Sequence, residues 1–196
     1  GGKLLGIVLV NIVMSYIIGM GLPSASCYII LSALGAPALI SLGVTPMAAH
    51  LLIFWFTQLA GITPPVCITA FVAAGIANSS PMKTGFTALE MGSTFYFVPF
   101  LFLFTPLVNG SPLEMIVTAI LAALAFYMMV AFLENYLFGK TNLVVRVLCG
   151  LNSLCLFFAS FTTTSLQTSI IMSVIGLVVL IALVLVQKKR YRACCT

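Results

Sequence analysis

Gly19-Met20-Gly21-Leu22-Pro23-Ser24, and further on Gly61-Ile62-Thr63-Pro64-Pro65, interrupt two otherwise apolar segments. Neither stretch can continue a regular helix. Glycine weakens the helical ladder, and proline has no amide hydrogen to give it. The first break separates Leu4 to Ile18 from Ala25 to Leu42, and the second separates Pro46 to Ala60 from Val66 to Ala77. Leu4 to Ile18 measures only about 15 residues or ~22 Å, short of the ~30 Å hydrocarbon thickness of a bilayer. Irregular backbone survives in lipid only where protein buries it or where it lines a cavity, because each unpaired polar group there costs several kcal/mol. A lone proline in a membrane helix marks a kink. Two glycine–proline breaks, each central to an apolar segment, point instead to a transporter binding site built from interrupted helices.

The rest of the chain sets the class. Of 196 residues, 62% are hydrophobic and 6% charged, with a mean hydropathy of +1.26, and no soluble fold this apolar could cover its surface. Long apolar runs follow the breaks: Gly85 to about Pro106, Leu113 to Tyr136, Leu143 to about Ser160, and about Leu166 to Val186. Each approaches or exceeds the ~20 residues of a membrane-spanning helix. The sequence therefore predicts an all-α polytopic membrane protein. It has a re-entrant hairpin at 4–42, a broken transmembrane helix at 46–77 and four following transmembrane helices. Residues 1–110 hold the hairpin, the broken helix and the helix that follows. Residues 111–196 form a C-terminal three-helix membrane extension with a basic cytoplasmic tail.

Charge orients these spans. Lys188, Lys189, Arg190 and Arg192 follow the last apolar run directly, as cytoplasmic flanks do, and this pattern reads as orientation rather than nucleic-acid binding. Counting back from a cytoplasmic C-terminus, the loops at 162–165 and 109–112 fall outside and carry no Lys or Arg. Those at 139–142 and 78–84 fall inside and carry Lys140 and Lys83. Lys3 on the outer side is the one exception. The start, Gly1-Gly2-Lys3, enters a hydrophobic helix at once without a signal-peptide cleavage pattern, and reads as the C-terminal part of a longer polypeptide. The six cysteines lack metal-ligand spacing. There is no Asp, the carboxylates are Glu90, Glu114 and Glu134, and His50 is the single histidine. No catalytic constellation can be assembled from that set, so an enzyme is not expected.

The ordered motifs carry a resemblance. After Gly19-Met20-Gly21-Leu22-Pro23-Ser24-Ala25 come Ala36-Pro37-Ala38-Leu39, Gly43-Val44, Ala48-Ala49-His50-Leu51 and Gly61-Ile62-Thr63-Pro64-Pro65-Val66. Then follow Ala73-Ala74-Gly75-Ile76-Ala77 and Pro81-Met82-Lys83-Thr84-Gly85-Phe86. Over about residues 6–109 this resembles the second half of the large membrane subunit of tripartite ATP-independent periplasmic (TRAP) transporters, in the fused-permease form. The resemblance implies that residues 1–110 are the second repeat of a transport domain, in a secondary transporter of the bacterial or archaeal inner membrane that imports organic anions, typically carboxylates. It implies a sodium gradient as driving force, no cofactor beyond that coupling ion, and a periplasmic solute-binding protein as partner. The remainder of the permease, its first repeat and small-subunit region, is the other partner, with lipid around it and no nucleic acid. In the family, sodium sites lie where hairpin tips meet unwound helices. The corresponding positions are Gly19, Gly21, Pro23 and Ser24 in the tip and Gly61, Thr63, Pro64 and Pro65 in the break. Ser24, Gly61 and Thr63 are the expected sodium ligands. The helices after Pro112 lie beyond the common core of the large subunit.

Elementary chemistry makes that carry-over workable. A hard monovalent cation takes oxygen ligands, and without Asp these are backbone carbonyls and Ser or Thr hydroxyls. A half-helix frees carbonyls at its negative C-terminal end, while the half-helix beginning near Ser24 or Pro64 offers amides and positive potential to a carboxylate. Elsewhere the expectations are plainer. His50 is an interfacial or structural histidine, Glu90 favours a helix N-terminus, and Glu134, near the cytoplasmic end of its helix, snorkels or pairs with Lys140. Gln58 is a candidate cavity residue, and Trp55 and Tyr96 are lipid-facing or packing residues. Two other readings stand beside this one. A different elevator-type anion/sodium symporter would carry Ser-Asn-Thr motifs at the tips. A non-transporting assembly subunit is compatible with a chain that lacks the first repeat.

Overall fold

The computed structural model describes residues 2–137, 139, 141–161, 171, 174–182, 184 and 185. Lys140, the expected loop at 162–165 and the basic tail lie outside the described residues. Contacts divide the chain into two compact units, residues 1–103 and 104–196. Among the described residues the secondary structure is helical apart from turns and one isolated bridge residue.

The first unit opens with the hairpin: α1 (Gly2–Gly19) and α2 (Ser24–Ile40). Its arms run antiparallel. The Cys27 thiol faces the Ser15 carbonyl at 3.9 Å, and Gly35 faces Asn11 so closely that a Cβ there would run into the Asn11 amide. Close approach through small residues is how helices pack in lipid, where burying apolar surface contributes little. The broken helix follows as α3 (Pro46–Ala60) and α4 (Ile68–Ile76). Val8 of α1, Cys27 and Leu31 of α2, and Leu52, Ile53 and Phe56 of α3 form one buried cluster. The outward faces of the hairpin, including Leu9, Val13, Ile17, Ile29 and Leu34, stay apolar and exposed, as a bilayer requires. α1 is 18 residues or about 27 Å long, a turn more than the sequence suggested, and is apolar enough to cross a membrane.

The segment expected as one span from Gly85 to Pro106 is different. It starts earlier, as α5 (Pro81–Met91), passes through a 3-10 turn (Ser93–Phe97) and resumes as α6 (Val98–Phe104), with a bend of 54°. Gly92 is the pivot, because a Cβ there would sit 2.7 Å from the Ile62 side chain and 3.0 Å from the Ala88 carbonyl. A helix that begins at Pro81 also moves Glu90 into its last turn. The expected role of that carboxylate at a helix N-terminus is therefore corrected. Helices α3, α5 and α7 all start on a hydroxyl–proline pair (Thr45-Pro46, Ser80-Pro81, Ser111-Pro112). Proline at the first helical position has φ preset and no amide to orphan.

The second unit contains α7 (Pro112–Leu133), α8 (Leu143–Phe161) and helical residues 174–182. A capping box at Ser111 and Glu114 starts α7. Its antiparallel contact with α8 is held by small residues and polar bonds. Ser153 donates to the Ala125 carbonyl at 2.8 Å, and Arg146 Nε donates to the Phe132 carbonyl at 2.8 Å while its guanidinium lies over the Phe132 ring. Asn152 donates to the Gly176 carbonyl at 3.3 Å, tying α8 to the following helical segment.

Candidate functional site: a hairpin tip against a broken helix

The tip is made by four residues between α1 and α2. Met20 and Gly21 amides close the end of α1 on the Tyr16 and Ile18 carbonyls, and Pro23, extended at φ −56° and ψ 145°, turns the chain into α2. Pro23 offers no side-chain cap, so Ser24 and its neighbours begin α2 without a side-chain acceptor for their amides. Gly19 packs directly on the end of α3. A Cβ there would lie 2.6 Å from the Ala60 methyl and 3.9 Å from the Thr57 carbonyl. Any larger residue would push the tip away from the break.

The break itself is a tightened helix end. The Gly61 and Ile62 amides step back to the Gln58 and Leu59 carbonyls at 3.1 Å, and the Gly61 carbonyl then accepts the Thr69 amide at 3.2 Å from the first turn of α4. Pro64-Pro65 is a cis peptide. Thr63 donates its hydroxyl proton to the Leu59 carbonyl at 2.6 Å, turning its oxygen lone pairs outward. With its proton so placed, the threonine oxygen acts as an acceptor, and one of its two lone pairs meets the Tyr96 hydroxyl.

The eight residues singled out from the sequence divide. Gly19 stands against Ala60, the neighbour of Gly61, and Thr63 is tied to the end of α3. Pro64 lies beside Gly85 of α5, whose missing Cβ makes room for the Cys67 thiol. Ser24 is partly covered, whereas Gly21, Pro23 and Pro65 are exposed, and a Cβ at Gly21 would meet nothing within 4 Å. Among the described residues no group of His, Cys, Asp and Glu could hold a metal ion, so a cation here would rest on hydroxyl and carbonyl oxygens.

Two aromatic residues expected only to pack or face lipid have specific bonds. Trp55 donates its indole N–H to the Phe95 carbonyl at 2.9 Å, and Tyr96 meets Thr63 hydroxyl to hydroxyl at 2.6 Å. Tyr16, one turn before the tip, stacks on Tyr96 with centroids 6.4 Å apart and meets Phe56 edge-on. The bend at 92–97 is therefore a third irregular segment at the same place. Its sequence signal was Gly92-Ser93-Thr94 inside an apolar run, a glycine followed by two residues that compete for backbone hydrogen bonds. Gln58 is exposed, one turn from the break. His50 accepts the structural reading: its Nδ1 bonds the Tyr28 hydroxyl at 3.0 Å and links α3 to α2.

A family model described as "Tripartite ATP-independent periplasmic transporter, DctM component" matches residues 1–110, the span that holds the hairpin, the broken helix and the bend. Neither the curated proteins nor the solved structures provide a match. A match over more than half the chain, carried by the segments whose geometry has just been described, makes this protein a member of the DctM family of tripartite ATP-independent periplasmic transporter permeases.

Proposed function

We propose that the chain forms the second repeat of a permease that imports an organic anion, a carboxylate, by symport with sodium. Uptake depends on a periplasmic solute-binding protein and on the remaining parts of the permease. The protein lies in the inner membrane of a bacterium or archaeon with its C-terminus in the cytoplasm. The observation that carries this reading is the packing of the hairpin tip on the end of α3, Gly19 against Ala60, beside a break whose one hydroxyl points its proton away. Ser24, Gly61 and Thr63 supply the sodium ligands. The Gly61 carbonyl retains one lone pair beyond the Thr69 amide, and the Thr63 oxygen, its proton given to the Leu59 carbonyl, retains one beyond the Tyr96 contact. The uncapped start of α2 supplies amide donors and positive potential for the carboxylate.

The test is uptake of a panel of labelled carboxylates into proteoliposomes by the complete permease with its solute-binding protein, under an inward sodium gradient. Thr63→Val removes the oxygen and keeps the shape. It should raise the sodium concentration for half-maximal uptake roughly 5–150-fold, the equivalent of about 1–3 kcal/mol for one buried ligand. Thr63→Ser, which keeps the hydroxyl, should stay close to the parent. Unchanged sodium dependence in both Thr63→Val and Ser24→Ala would overturn the site.

A further inference from the structure

Three hydroxyls meet at the break, and their protons can be assigned one by one. Thr63 has a single hydroxyl proton, and the Leu59 carbonyl can only accept, so that proton lies on the 2.6 Å bond to Leu59. The 2.6 Å contact between Thr63 and Tyr96 must then carry the Tyr96 proton, with Tyr96 as donor. Tyr16 remains. Its hydroxyl is buried and, among the described residues, is the one buried side-chain polar atom without a hydrogen-bond partner. The side chains that act on it are Tyr96, on which its ring stacks, and Thr63, both near enough to bond it once realigned, though neither meets hydrogen-bond geometry.

A buried hydroxyl without a partner is unfavourable by about 1–3 kcal/mol and calls for an explanation. The neighbouring geometry supplies one. A cation on the second lone pair of the Thr63 oxygen sits beside the proton that Tyr96 directs into the first, and the two positive charges repel. Tyr96 released from Thr63 has an unpaired hydroxyl beside it, that of Tyr16. We infer that Tyr96 and Tyr16 are positioning residues for the cation site at Thr63: Tyr96 occupies the Thr63 oxygen when no cation is bound and transfers to Tyr16 when one is. The inference rests on the sodium-site reading above.

The bend is suited to carry such an exchange. Tyr96 sits on the 3-10 turn between α5 and α6, and its neighbour Phe95 holds the Trp55 indole through its carbonyl. A shift of Tyr96 between two partners therefore reaches α3 through Trp55 as well as through Thr63.

Each residue has a predicted sign, and the two signs are opposite. Tyr96→Phe removes the competing donor and should lower the half-saturating sodium concentration about 2- to 10-fold, the effect of one ordinary hydrogen bond. Tyr16→Phe removes the alternative partner and should raise it by a similar factor. The double variant should behave like Tyr96→Phe, because Tyr16 acts only through the Tyr96 hydroxyl. Both rings keep their packing. The readout is sodium-dependent thermal stabilisation of the purified complete permease, with choline chloride holding ionic strength constant. A second readout is the sodium-induced change in Trp55 emission, isolated by difference against Trp55→Phe, which needs no stability change. A weaker or unchanged sodium affinity in Tyr96→Phe, or an unchanged one in Tyr16→Phe, would overturn the inference while Thr63→Val still responds. If Thr63→Val itself leaves sodium stabilisation unchanged, the site reading fails first and the inference with it.

Discussion

Gly19 offers the sharpest test of the contact on which the site depends. A Cβ at this position lies 2.6 Å from the Ala60 methyl, about 1 Å inside the ~3.5–4.0 Å separation of two carbons in contact. Ala60 is 4% exposed and belongs to the last turn of α3, and the Thr57 carbonyl lies on the same side at 3.9 Å, so the methyl has little room to yield. In Gly19→Ala the tip must therefore retreat from the break by about 1 Å. Overpacking of this kind costs about 1–3 kcal/mol. If that cost falls on the closed arrangement of tip and break, it appears as a roughly 5- to 150-fold loss of sodium affinity. The reciprocal change provides the control. Ala60→Gly removes the opposing methyl, and in Gly19→Ala/Ala60→Gly the one methyl simply changes sides. The double variant should recover most of the loss, less about 1 kcal/mol for a glycine at a helix end. Sodium-gradient uptake and sodium-dependent thermal stabilisation would both be measured, with membrane yield as a check on insertion. Normal uptake in Gly19→Ala, or a double variant no better than the single one, would refute the idea that tip and break work in contact.

Two further outcomes concern the second unit and the membrane orientation. Ser153→Ala removes the 2.8 Å bond from α8 to the Ala125 carbonyl and should lower thermal stability by about 0.5–1.5 kcal/mol, with little change in sodium affinity. A loss of sodium affinity as large as that of Thr63→Val would show that this unit shapes the ion site. Single cysteines at Lys83 and Asn109 should react with a membrane-impermeant thiol reagent from the cytoplasmic and outer sides respectively, and the reverse pattern would invert the topology.

Much of this molecule is written locally. The apolar content, the absence of Asp and the lengths of the α7 and α8 runs make it a polytopic membrane protein, because each residue carries its own transfer free energy wherever it is placed. The breaks at 20–23 and 61–67 are equally local. Pro23, Pro64 and Pro65 cannot donate to a ladder, and no tertiary contact can change that. The hydroxyl–proline starts of α3, α5 and α7 follow from the same fixed chemistry.

Where those breaks meet was left to the fold. Nothing in the sequence around Tyr96 separates a lipid-facing tyrosine from one bonded to Thr63, a residue 33 positions away, and Trp55 differs from an ordinary packing aromatic only through its bond to Phe95, 40 positions on. The bend at Gly92 is an intermediate case. Glycine in an apolar run permits a continuous helix or a pivot, and the Ile62 side chain and Ala88 carbonyl, by filling the space a Cβ would need, make it the pivot. Local chemistry determined which segments cannot be helix. Only the packing of α1, α3 and the bend determined which hydroxyls share protons, since hydrogen bonds between side chains depend on distances that chain separation does not fix.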